Sequence, residues 1–487
     1  RDGDYRRIVE ESFGAIVQAN HRPGGPSIFV GPDSLVRVVQ RVSDRPSLIE
    51  VHDYNKLRSY LIRNVTFLNG SEDSPKTVPP PSIVVHDILS RPTWTGLPEL
   101  RGIIETPVLS RDGEVVTTPG YQPQTLLWYS PAPDLELPAI PERPTADDMK
   151  AAAELLDEVI YDFPFDSRGS RANALALMLL PFVREFIKGP TPLHMIDATT
   201  PGSGKGLLAD CCSLVATGRD AGKGPEPRNP DETRKFITSV LVAGASMVVL
   251  DNIIGYLDSA PLARVLTAEI WEDRLLGYRR QVRPLNRAVW VATGNNMSLS
   301  RELARRAVWI RLEPEQERPE LRSGFRHPDL LRWVREERGR LIAACLTLAR
   351  AWVVKGRPRG SEILGRMFGS YESWLDVIGG VLAVAGIEGL LENRDKLADQ
   401  GDDELGPWRF FFHLWRGATQ ADLVPRVAHA HELLELAGKA GLDIGDMGFQ
   451  SQLRRLGQAL SKIEGRVIGS ARLMSRVLNG RKLYRIE

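Results

Sequence analysis

The sequence predicts a multidomain protein of the α+β and α/β classes: a mixed α/β N-terminal domain, a central α/β domain and a C-terminal region of helices followed by a small sheet. The middle of the chain alternates short apolar runs with helical periodicity, which is typical of buried parallel strands joined by helices. Five prolines lie between residues 131 and 144, which predicts a linker. A length of 487 residues allows two to four domains with sizeable cores.

In the first 130 residues the pattern predicts one helix, at residues 5–19, and several short strands. Residues 27–30 and 35–39 flank Gly31-Pro32-Asp33, which indicates a hairpin. Apolar runs near residues 115 and 125–129 predict further strands. The predicted domains are therefore 1–130 (N-terminal α+β), 131–145 (Pro-rich linker), 146–325 (central α/β), 326–400 (helical) and 401–487 (small C-terminal domain).

The predicted elements of the central and helical regions follow from apolar spacing. We expect helices over 146–160, 171–186, 327–354 and 371–391, and buried strands over 193–198, 246–250, 288–292 and 308–312. In the C-terminal region, helices followed by apolar runs at 466–468 and 483–486 are consistent with a winged helix.

Composition excludes several classes of protein. Apolar content is 42%, charged content 26% and net charge +1, an ordinary globular composition without a strong overall field for nucleic acid. No apolar run approaches about 18 residues and no signal-peptide pattern occurs, so we expect a cytoplasmic protein without a membrane partner. The chain opens without Met, which suggests a fragment or a processed product.

The three cysteines are Cys211, Cys212 and Cys345, and none forms a C-x-x-C pair. A zinc site or a disulfide framework is therefore not expected, and buried structural thiols are the favoured interpretation.

The segment 199–206 is the most informative one. It departs from the pattern G-x-x-x-x-G-K-[ST] at both ends, since Thr199 replaces the first Gly and Gly206 replaces the Ser/Thr. The part that grips phosphate remains, because glycines let backbone N–H groups curl around an anion and Lys205 adds a positive charge. An ordinary strand-to-helix turn is the alternative. The candidate nucleotide-binding residues are Pro201, Gly202, Ser203, Gly204, Lys205, Gly206 and Leu207.

Polar residues follow the next two predicted strands. Asp251 comes after one of them and could hold Mg²⁺ directly or through water. ATP-hydrolysing enzymes usually place Glu next, where this chain has Asn252. Asn295 follows the other strand and could lie between the two strand ends, touching the γ-phosphate or the attacking water. Capping of a turn by Asp251, and a plain turn at 293–296, are the alternatives.

Two groups of arginines lie near Asn295 in the sequence, one after it and one before it. Arg301, Arg305 and Arg306 lie about ten residues beyond Asn295, and such arginines could reach the γ-phosphate of a neighbouring subunit. The alternative is solvated helix charges. Residues 273–283 pair two short stretches around a basic tip that contains Arg279 and Arg280, which suggests a hairpin able to contact a nucleic-acid backbone. An exposed, merely solubilising loop is equally compatible.

The last 37 residues carry nine Lys/Arg against two acidic residues, the balance of a nucleic-acid-binding module or of a solvated face. The candidate DNA contacts there are Arg454, Arg455, Arg472, Arg481 and Lys482.

In this order the motifs resemble the AAA+ helicase region of phage, plasmid and genomic-island replication proteins, which are similar to superfamily-3 and minichromosome-maintenance helicases. The resemblance spans most of the chain. The residues that carry it are 201–208, 249–252, 273–277, 293–296 and 305–306, with further likeness at 120–121, 162–165 and 374–391.

The resemblance implies a homo-hexameric ring with ATP between subunits, acting on single-stranded or forked DNA in a bacterial host or phage-infected cell, with a primase or polymerase as candidate partner. Lys205 would hold the β- and γ-phosphates and Asp251 the Mg²⁺ shell, while Asn295 would sense the γ-phosphate. Arg305 or Arg306 would act in trans, and Arg279 and Arg280 would line the pore.

Two departures bear on this implication. Gly206 removes the hydroxyl that normally binds Mg²⁺, and Asn252 removes the usual glutamate. Glu232, Glu269 and Glu272 are the candidate replacements for that glutamate. The sequence thus favours an ATP-driven helicase for a mobile element. The alternatives are an origin-binding initiator that assembles with ATP but does not unwind DNA, and a small-molecule P-loop kinase. The kinase reading leaves the paired arginines and the basic C-terminal region unexplained.

Overall fold

The structure, a computed structural model, describes residues 5–22, 24–40, 47–69, 74–224, 229–274, 281–316, 318–360, 368–401, 406–420, 427–442, 444–445, 448–468, 471–478 and 481–486. The chain divides into two compact units, residues 1–394 and 395–487. Among the described helices, none is long and apolar enough to cross a membrane.

The N-terminal region builds its own core from helices and short strands. Its elements are α1 (Tyr5–Asn20), α2 (Tyr54–Asn64), α3 (Ser82–Ser90), β1 (Phe29–Val30), β2 (Leu35–Val39), β3 (Leu48–Val51), β4 (Phe67–Asn69), β5 (Lys76–Val78), β6 (Gly102–Ile104), β7 (Gly120–Gln122) and β8 (Leu127–Tyr129). The predicted hairpin is confirmed, since β1 and β2 pair antiparallel.

The prediction of a single helix in this region was wrong, because α2 and α3 are also present. α2 has a clear start, where the Asp53 carboxylate accepts a hydrogen bond from the backbone N–H of Lys56. α3 is rich in β-branched residues, so local propensity favours a strand. Burial of Val84, Val85 and Ile88 against the other helices overrides that preference.

The central region is an α/β domain, as predicted. Its strands are β9 (Leu193–Ala198), β10 (Lys223–Gly224), β11 (Met247–Leu257), β12 (Asp273–Arg274), β13 (Gln281–Val282), β14 (Val289–Leu299) and β15 (Ala307–Leu312). Its helices are α4 (Ala146–Ile160), α5 (Arg168–Val183), α6 (Lys205–Thr217), α7 (Pro230–Val242), α8 (Ala260–Val265), α9 (Arg301–Ala304), α10 (Leu330–Glu336), α11 (Arg338–Val354) and α12 (Glu372–Val384).

A parallel sheet organises this domain. Within the described residues it has five strands in the order β10-β11-β14-β9-β15. All neighbouring pairs run parallel, so each connection crosses over and the carboxyl ends of the strands share one edge. β14 thereby lies between β9 and β11. The strands that precede the segment 199–206 and Asp251 are therefore separated by the strand that carries Asn295.

The core of the first unit surrounds this sheet. It combines the buried faces of α4, α5, α6, α11 and α12 with β9, β11, β14 and β15. The three cysteines lie in it, buried and unpaired, as the sequence predicted. Cys212 and Cys345 are fully buried, and burial raises the pKa of each thiol. These groups are therefore neutral packing residues.

The Pro-rich segment packs against the central domain. Leu135, Leu137 and Ile140 lie against the main core. The carbonyl oxygen of Glu136 lies 1.8 Å from where a Cβ at Gly339 would be, so only glycine fits at the start of α11. Arg338, the neighbouring residue, is buried and donates hydrogen bonds to the carbonyls of Glu105 and Leu214. None of residues 131–145 is buried, so this segment lies along the surface of the first unit with those three apolar side chains packed against its core.

The second unit combines a helical cluster with an antiparallel sheet. Its elements are α13 (Arg394–Gly401), α14 (Gly406–Gln420), β16 (Val427–His429), α15 (Leu434–Lys439), α16 (Phe449–Ile463), β17 (Val467–Ile468), β18 (Ala471–Leu478) and β19 (Arg481–Ile486). The described strands are ordered β16-β19-β18-β17. α16 buries Leu456, Leu460 and Ile463 and leaves its other face to solvent.

Candidate functional site

The segment between β9 and α6 forms a turn that depends on two glycines. Gly202 and Gly204 have φ values of 75° and 94°, the left-handed region that glycine adopts without strain. A Cβ at Gly204 would lie 3.1 Å from the ring of Phe163, in the 162–165 segment singled out in the sequence. Among the described residues, no side chain caps the N-terminus of α6. Its first N–H groups are therefore available to an anion.

Lys205 and Asn295 meet beside this turn. The ammonium of Lys205 donates a hydrogen bond to Oδ1 of Asn295 at 2.6 Å. A longer contact, at 3.4 Å, joins it to the carbonyl of Thr200. Burial lowers the pKa of Lys205, and the carboxylates of Asp197 and Asp251 oppose that shift. A positive charge is thus held next to Asn295 on β14, in the field of two carboxylates.

Asp251 is fixed by the neighbouring strand. Its Oδ1 accepts a hydrogen bond of 2.5 Å from the hydroxyl of Thr293, and that hydroxyl accepts one from the backbone N–H of Asn252. The strand was predicted to stop near residue 250, but β11 continues to Leu257. The pairing with β14 survives because the register shifts at this point.

Asn252 stands at that shift with φ = 57°. Asparagine adopts the left-handed conformation at a lower energetic cost than most residues. Glutamate has no such advantage at a positive φ. The same feature occurs in β14. This strand was predicted to end near residue 292, but it continues through Asn296, whose φ is 44°. The two asparagines thus let both strands bend while they remain paired.

A buried ion pair between Asp197 and Arg311 lies next to the turn of residues 199–206. Asp197 is fully buried, forms an ion pair with Arg311 on β15 and accepts a hydrogen bond from the backbone N–H of Met297. Arg311 also donates to Asn296, whose amide in turn donates to the carbonyl of Thr199. This chain of contacts links β15, β9 and β14 to the first residue of the turn.

Lys223 is a further cation at the site that the sequence analysis missed. It lies on the edge strand β10, with its ammonium 3.5 Å from Oδ2 of Asp210 and 3.9 Å from Oδ2 of Asp251. Asp197, Arg311 and Thr293 were likewise given no role. No local pattern marks these residues, because their contacts join distant parts of the chain.

The two candidate arginines differ in environment. Arg306 is buried and engages both the carbonyl and the carboxylate of Glu302. Arg305 is exposed and makes no ion pair with any residue that the structure describes. The side chain of Arg305 is therefore the one of the two that faces solvent.

The candidate glutamates are not brought into contact with Lys205 or Asp251. Glu232 lies in the first turn of α7, exposed, with its carboxylate 2.7 Å from the ammonium of Lys235. Glu272 forms an ion pair with Arg283. The carbonyl of Glu269 accepts a hydrogen bond from the backbone N–H of Asn286. The role of these three glutamates as replacements for the usual catalytic glutamate therefore stays a prediction that rests only on their place in the sequence.

The hairpin of residues 273–283 is confirmed at its base. β12 and β13 pair antiparallel, with Asp273 opposite Val282. The predicted basic tip, Arg279 and Arg280, lies outside the described residues. Asp273 forms an ion pair with Arg234 and accepts a hydrogen bond of 2.6 Å from the Thr238 hydroxyl, both on α7.

The basic residues of the second unit are not equivalent. Arg454 and Arg455 are exposed on α16, and Arg472 is exposed on β18. Lys482 is engaged, with its ammonium 2.7 Å from Glu464 and 3.0 Å from the Ser461 hydroxyl. Arg481 opens β19.

The residues present fit Mg²⁺ only together with a nucleotide. Among the described residues, no group of three or more His, Cys, Asp or Glu side chains could hold a metal ion. Nucleotide-bound Mg²⁺ needs just one or two carboxylates, because phosphates and water complete its octahedron. Asp251, oriented by Thr293 beside the turn, meets that requirement.

A separate cavity of about 480 Å³ lies between the N-terminal strands and the central domain. None of the residues 199–206 lines it. Its wall includes His52, which is 2% exposed and whose two ring nitrogens have no hydrogen-bond partner among the described residues. Burial lowers the pKa of His52 to about 4, so the ring is neutral.

No protein-family model matches the chain, and no curated protein matches it. Among solved structures, it is similar to an apo structure of the NrS-1 C-terminal region at 12% identity and a TM-score of 0.42, with 94% of each chain covered. A second apo structure of that region gives 13% and 0.39, with 94% of this chain and 96% of that chain covered. A JCV helicase with a bound small molecule gives 17% and 0.20, covering 48% of this chain and 68% of that one. At these values the likeness carries no argument about chemistry.

Proposed function

We propose that this chain is an ATP-dependent DNA helicase that acts as a homo-hexamer and unwinds DNA for the replication of a mobile element. One observation carries the nucleotide site: the adjacent parallel strands β9, β14 and β11 place Lys205, Asn295 and Asp251 on one side of the sheet, beside a helix N-terminus that no described side chain caps. The DNA-directed part rests on the order of motifs along the sequence, the hairpin base and the basic second unit.

In the proposed transfer of the terminal phosphoryl group to water, each residue of the site has a separate role. The N–H groups of the turn and the Lys205 ammonium hold the phosphates, and Asn295 orients Lys205 beside the terminal phosphate. Mg²⁺ bound with the nucleotide neutralises charge on the phosphate oxygens. Asp251, oriented by Thr293, would hold that ion through its carboxylate.

A neighbouring subunit is part of the proposal. Arg305 is exposed, as a residue that completes another subunit's site must be, whereas Arg306 is committed to Glu302. An arginine supplied in trans stabilises charge in the transition state and accounts for about 10³–10⁵ in turnover elsewhere. The second unit has the helix, strand and hairpin order of a winged helix, with exposed arginines on α16 and β18.

An ATPase assay with and without single-stranded DNA tests the core of the proposal. We expect DNA to stimulate turnover, and Lys205→Ala to lower it by about 10²-fold or more. Lys150→Ala, which removes an exposed lysine on α4, is the matched control and should leave turnover unchanged. Turnover that survives Lys205→Ala would exclude this site.

The second candidate function is an origin-binding initiator that uses ATP to assemble. Asn252 favours it, because the residue after Asp251 lacks a carboxylate. Strand displacement on a forked duplex separates the two functions, since only a translocase gives ATP-dependent product. Native mass measurement with and without nucleotide tests the hexamer.

A further inference from the structure

Gly206 has no backbone reason to be glycine. It is the second residue of α6, and its φ lies outside the left-handed region. Space does not demand glycine either, because an added Cβ would meet only the ammonium of Lys223, at 3.7 Å. A side chain at position 206 would therefore be in contact with this ammonium. Lys223 is the group that lies next to the place of the missing side chain.

Lys223 is held loosely between two carboxylates. Its ammonium is 3.5 Å from Asp210 and 3.9 Å from Asp251, longer than the roughly 2.7–2.9 Å of a direct charge-assisted hydrogen bond. Within the described part of the chain it makes no hydrogen bond. Its side chain is 42% exposed, so its three N–H donors are accessible. The nearer carboxylate, Asp210, is fixed by a hydrogen bond from the backbone N–H of Ala221.

Asp251 lies within reach of two ammonium groups. Its charge opposes the lowered pKa of Lys205, while its Oδ2 faces Lys223. Lys205 approaches from α6 and Lys223 from the edge strand β10. Lys223 thus approaches Asp251 from β10, next to the position on α6 that Gly206 leaves bare.

We propose that Lys223 is a nucleotide-binding residue whose ammonium reaches the triphosphate across Gly206 and takes the place of the missing Ser/Thr hydroxyl. This inference rests on the proposed function. The ligand class is a nucleoside triphosphate, recognised through phosphate oxygens. A lysine suits this role because it is a mobile point charge with several donors. Since the charge belongs to the chain, nucleotide affinity depends less on divalent cations than in sites that rely on the hydroxyl.

The test is the affinity for a fluorescent ATP analogue, measured in Mg²⁺ and in EDTA. We expect Lys223→Ala to weaken binding about ten- to hundredfold in EDTA, the effect of one charge-assisted hydrogen bond, and less in Mg²⁺. Lys223→Arg should keep most of the affinity. In the Lys223→Ala background, Gly206→Ser should restore binding in Mg²⁺ but not in EDTA, because the hydroxyl acts through the metal.

Lys56→Ala is the matched control, since Lys56 also lies between two carboxylates, at 3.2 Å from Glu50 and 3.4 Å from Asp53. Its affinity should equal that of the parent. Equal affinities of Lys223→Ala and the parent in both buffers would overturn the inference alone. A parent that binds no nucleotide, or binding that Lys205→Ala leaves unchanged, would overturn the proposed function. Lys223→Met, which keeps the volume without the charge, replaces Lys223→Ala if that variant does not fold.

Discussion

The ammonium of Lys205 donates a hydrogen bond of 2.6 Å to Oδ1 of Asn295, although ninety positions separate the two residues. The contact exists because β14 lies next to β9, with Asn295 in register with Ala198. Lys205 is the first residue of the helix that follows β9 after the glycine turn. The strand order of the sheet thus makes this contact possible.

Asn295→Ala should lower ATP turnover by about 10- to 100-fold while nucleotide affinity falls less than in Lys205→Ala. In the proposed mechanism Asn295 would orient the lysine and the reacting water, whereas the lysine would carry the charge. Steady-state kinetics and nucleotide titration together measure both effects. Asn64→Ala, which removes an amide donating to the carbonyl of Tyr60, is the control. If Asn295→Ala lost affinity without losing turnover, the orienting role would be wrong.

Arg305→Ala should abolish most turnover without changing the melting temperature, because its side chain is exposed. Arg306→Ala should instead cost about 2 kcal/mol of stability, a drop of several degrees, since it removes a buried side chain and its part-buried hydrogen bond to the carbonyl of Glu302. Mixing inactive Arg305→Ala with inactive Lys205→Ala should recover part of the activity, because some subunit interfaces then hold both residues. No recovery on mixing would count against action in trans.

Arg311→Ala should destabilise the first unit by about 3–5 kcal/mol, because it leaves the buried Asp197 carboxylate without its counter-charge. The double variant with Asp197→Asn should be more stable than Arg311→Ala alone. Denaturant unfolding of the three proteins measures the difference. If Asp197→Asn gave no such recovery, the ion pair would not be the source of the loss.

The stability loss of Arg311→Ala should also depend on pH. Burial raises the pKa of Asp197, and the Arg311 guanidinium opposes that rise. Without Arg311 the folded-state pKa lies higher still, so the folded state favours the protonated carboxyl. Stability is then lost as pH rises through that folded pKa and regained below it. The deficit relative to the parent should therefore be largest at neutral pH and shrink on acidification; a pH-independent deficit would contradict this.

Arg454→Ala should weaken DNA binding several-fold and reduce the slope of log affinity against log salt by about 1, because an exposed arginine on α16 is free to neutralise one phosphate. Lys482→Ala should have the smaller effect, since Glu464 already neutralises its ammonium. Fluorescence anisotropy across a salt series measures both. Equal slopes for the two variants would show that α16 is not the contact surface.

The sequence predicted those parts of the fold that have local signals. The apolar runs of β9 and β15, the glycine turn and the helix α4 are all encoded in neighbouring residues. The continuation of β11 and β14 was missed because Asn252 and Asn296 resemble turn residues, yet pairing between the strands holds them in the sheet. α3 was missed for the opposite reason, since its β-branched residues form a helix only once they are packed.

The residues of the candidate site likewise fall into those that the sequence predicted and those that it did not. Lys205, Asp251 and Asn295 were found because each follows an apolar strand. Lys223 and Arg311 were not, because their partners lie far away in sequence and only the strand order brings them together. The choice between Arg305 and Arg306 likewise needed burial, which two adjacent arginines cannot encode.

The anchoring of the hairpin base to α7 has a mechanical consequence. Asp273 is tied to Arg234 and Thr238, and Trp271 donates a hydrogen bond to the same Thr238 hydroxyl. The base of the hairpin is therefore coupled to a helix as well as to its own partner strand. A displacement of α7 would move Asp273 and Trp271 together, and we expect Asp273→Ala, which removes this coupling, to lower strand displacement per ATP consumed while nucleotide and DNA binding survive.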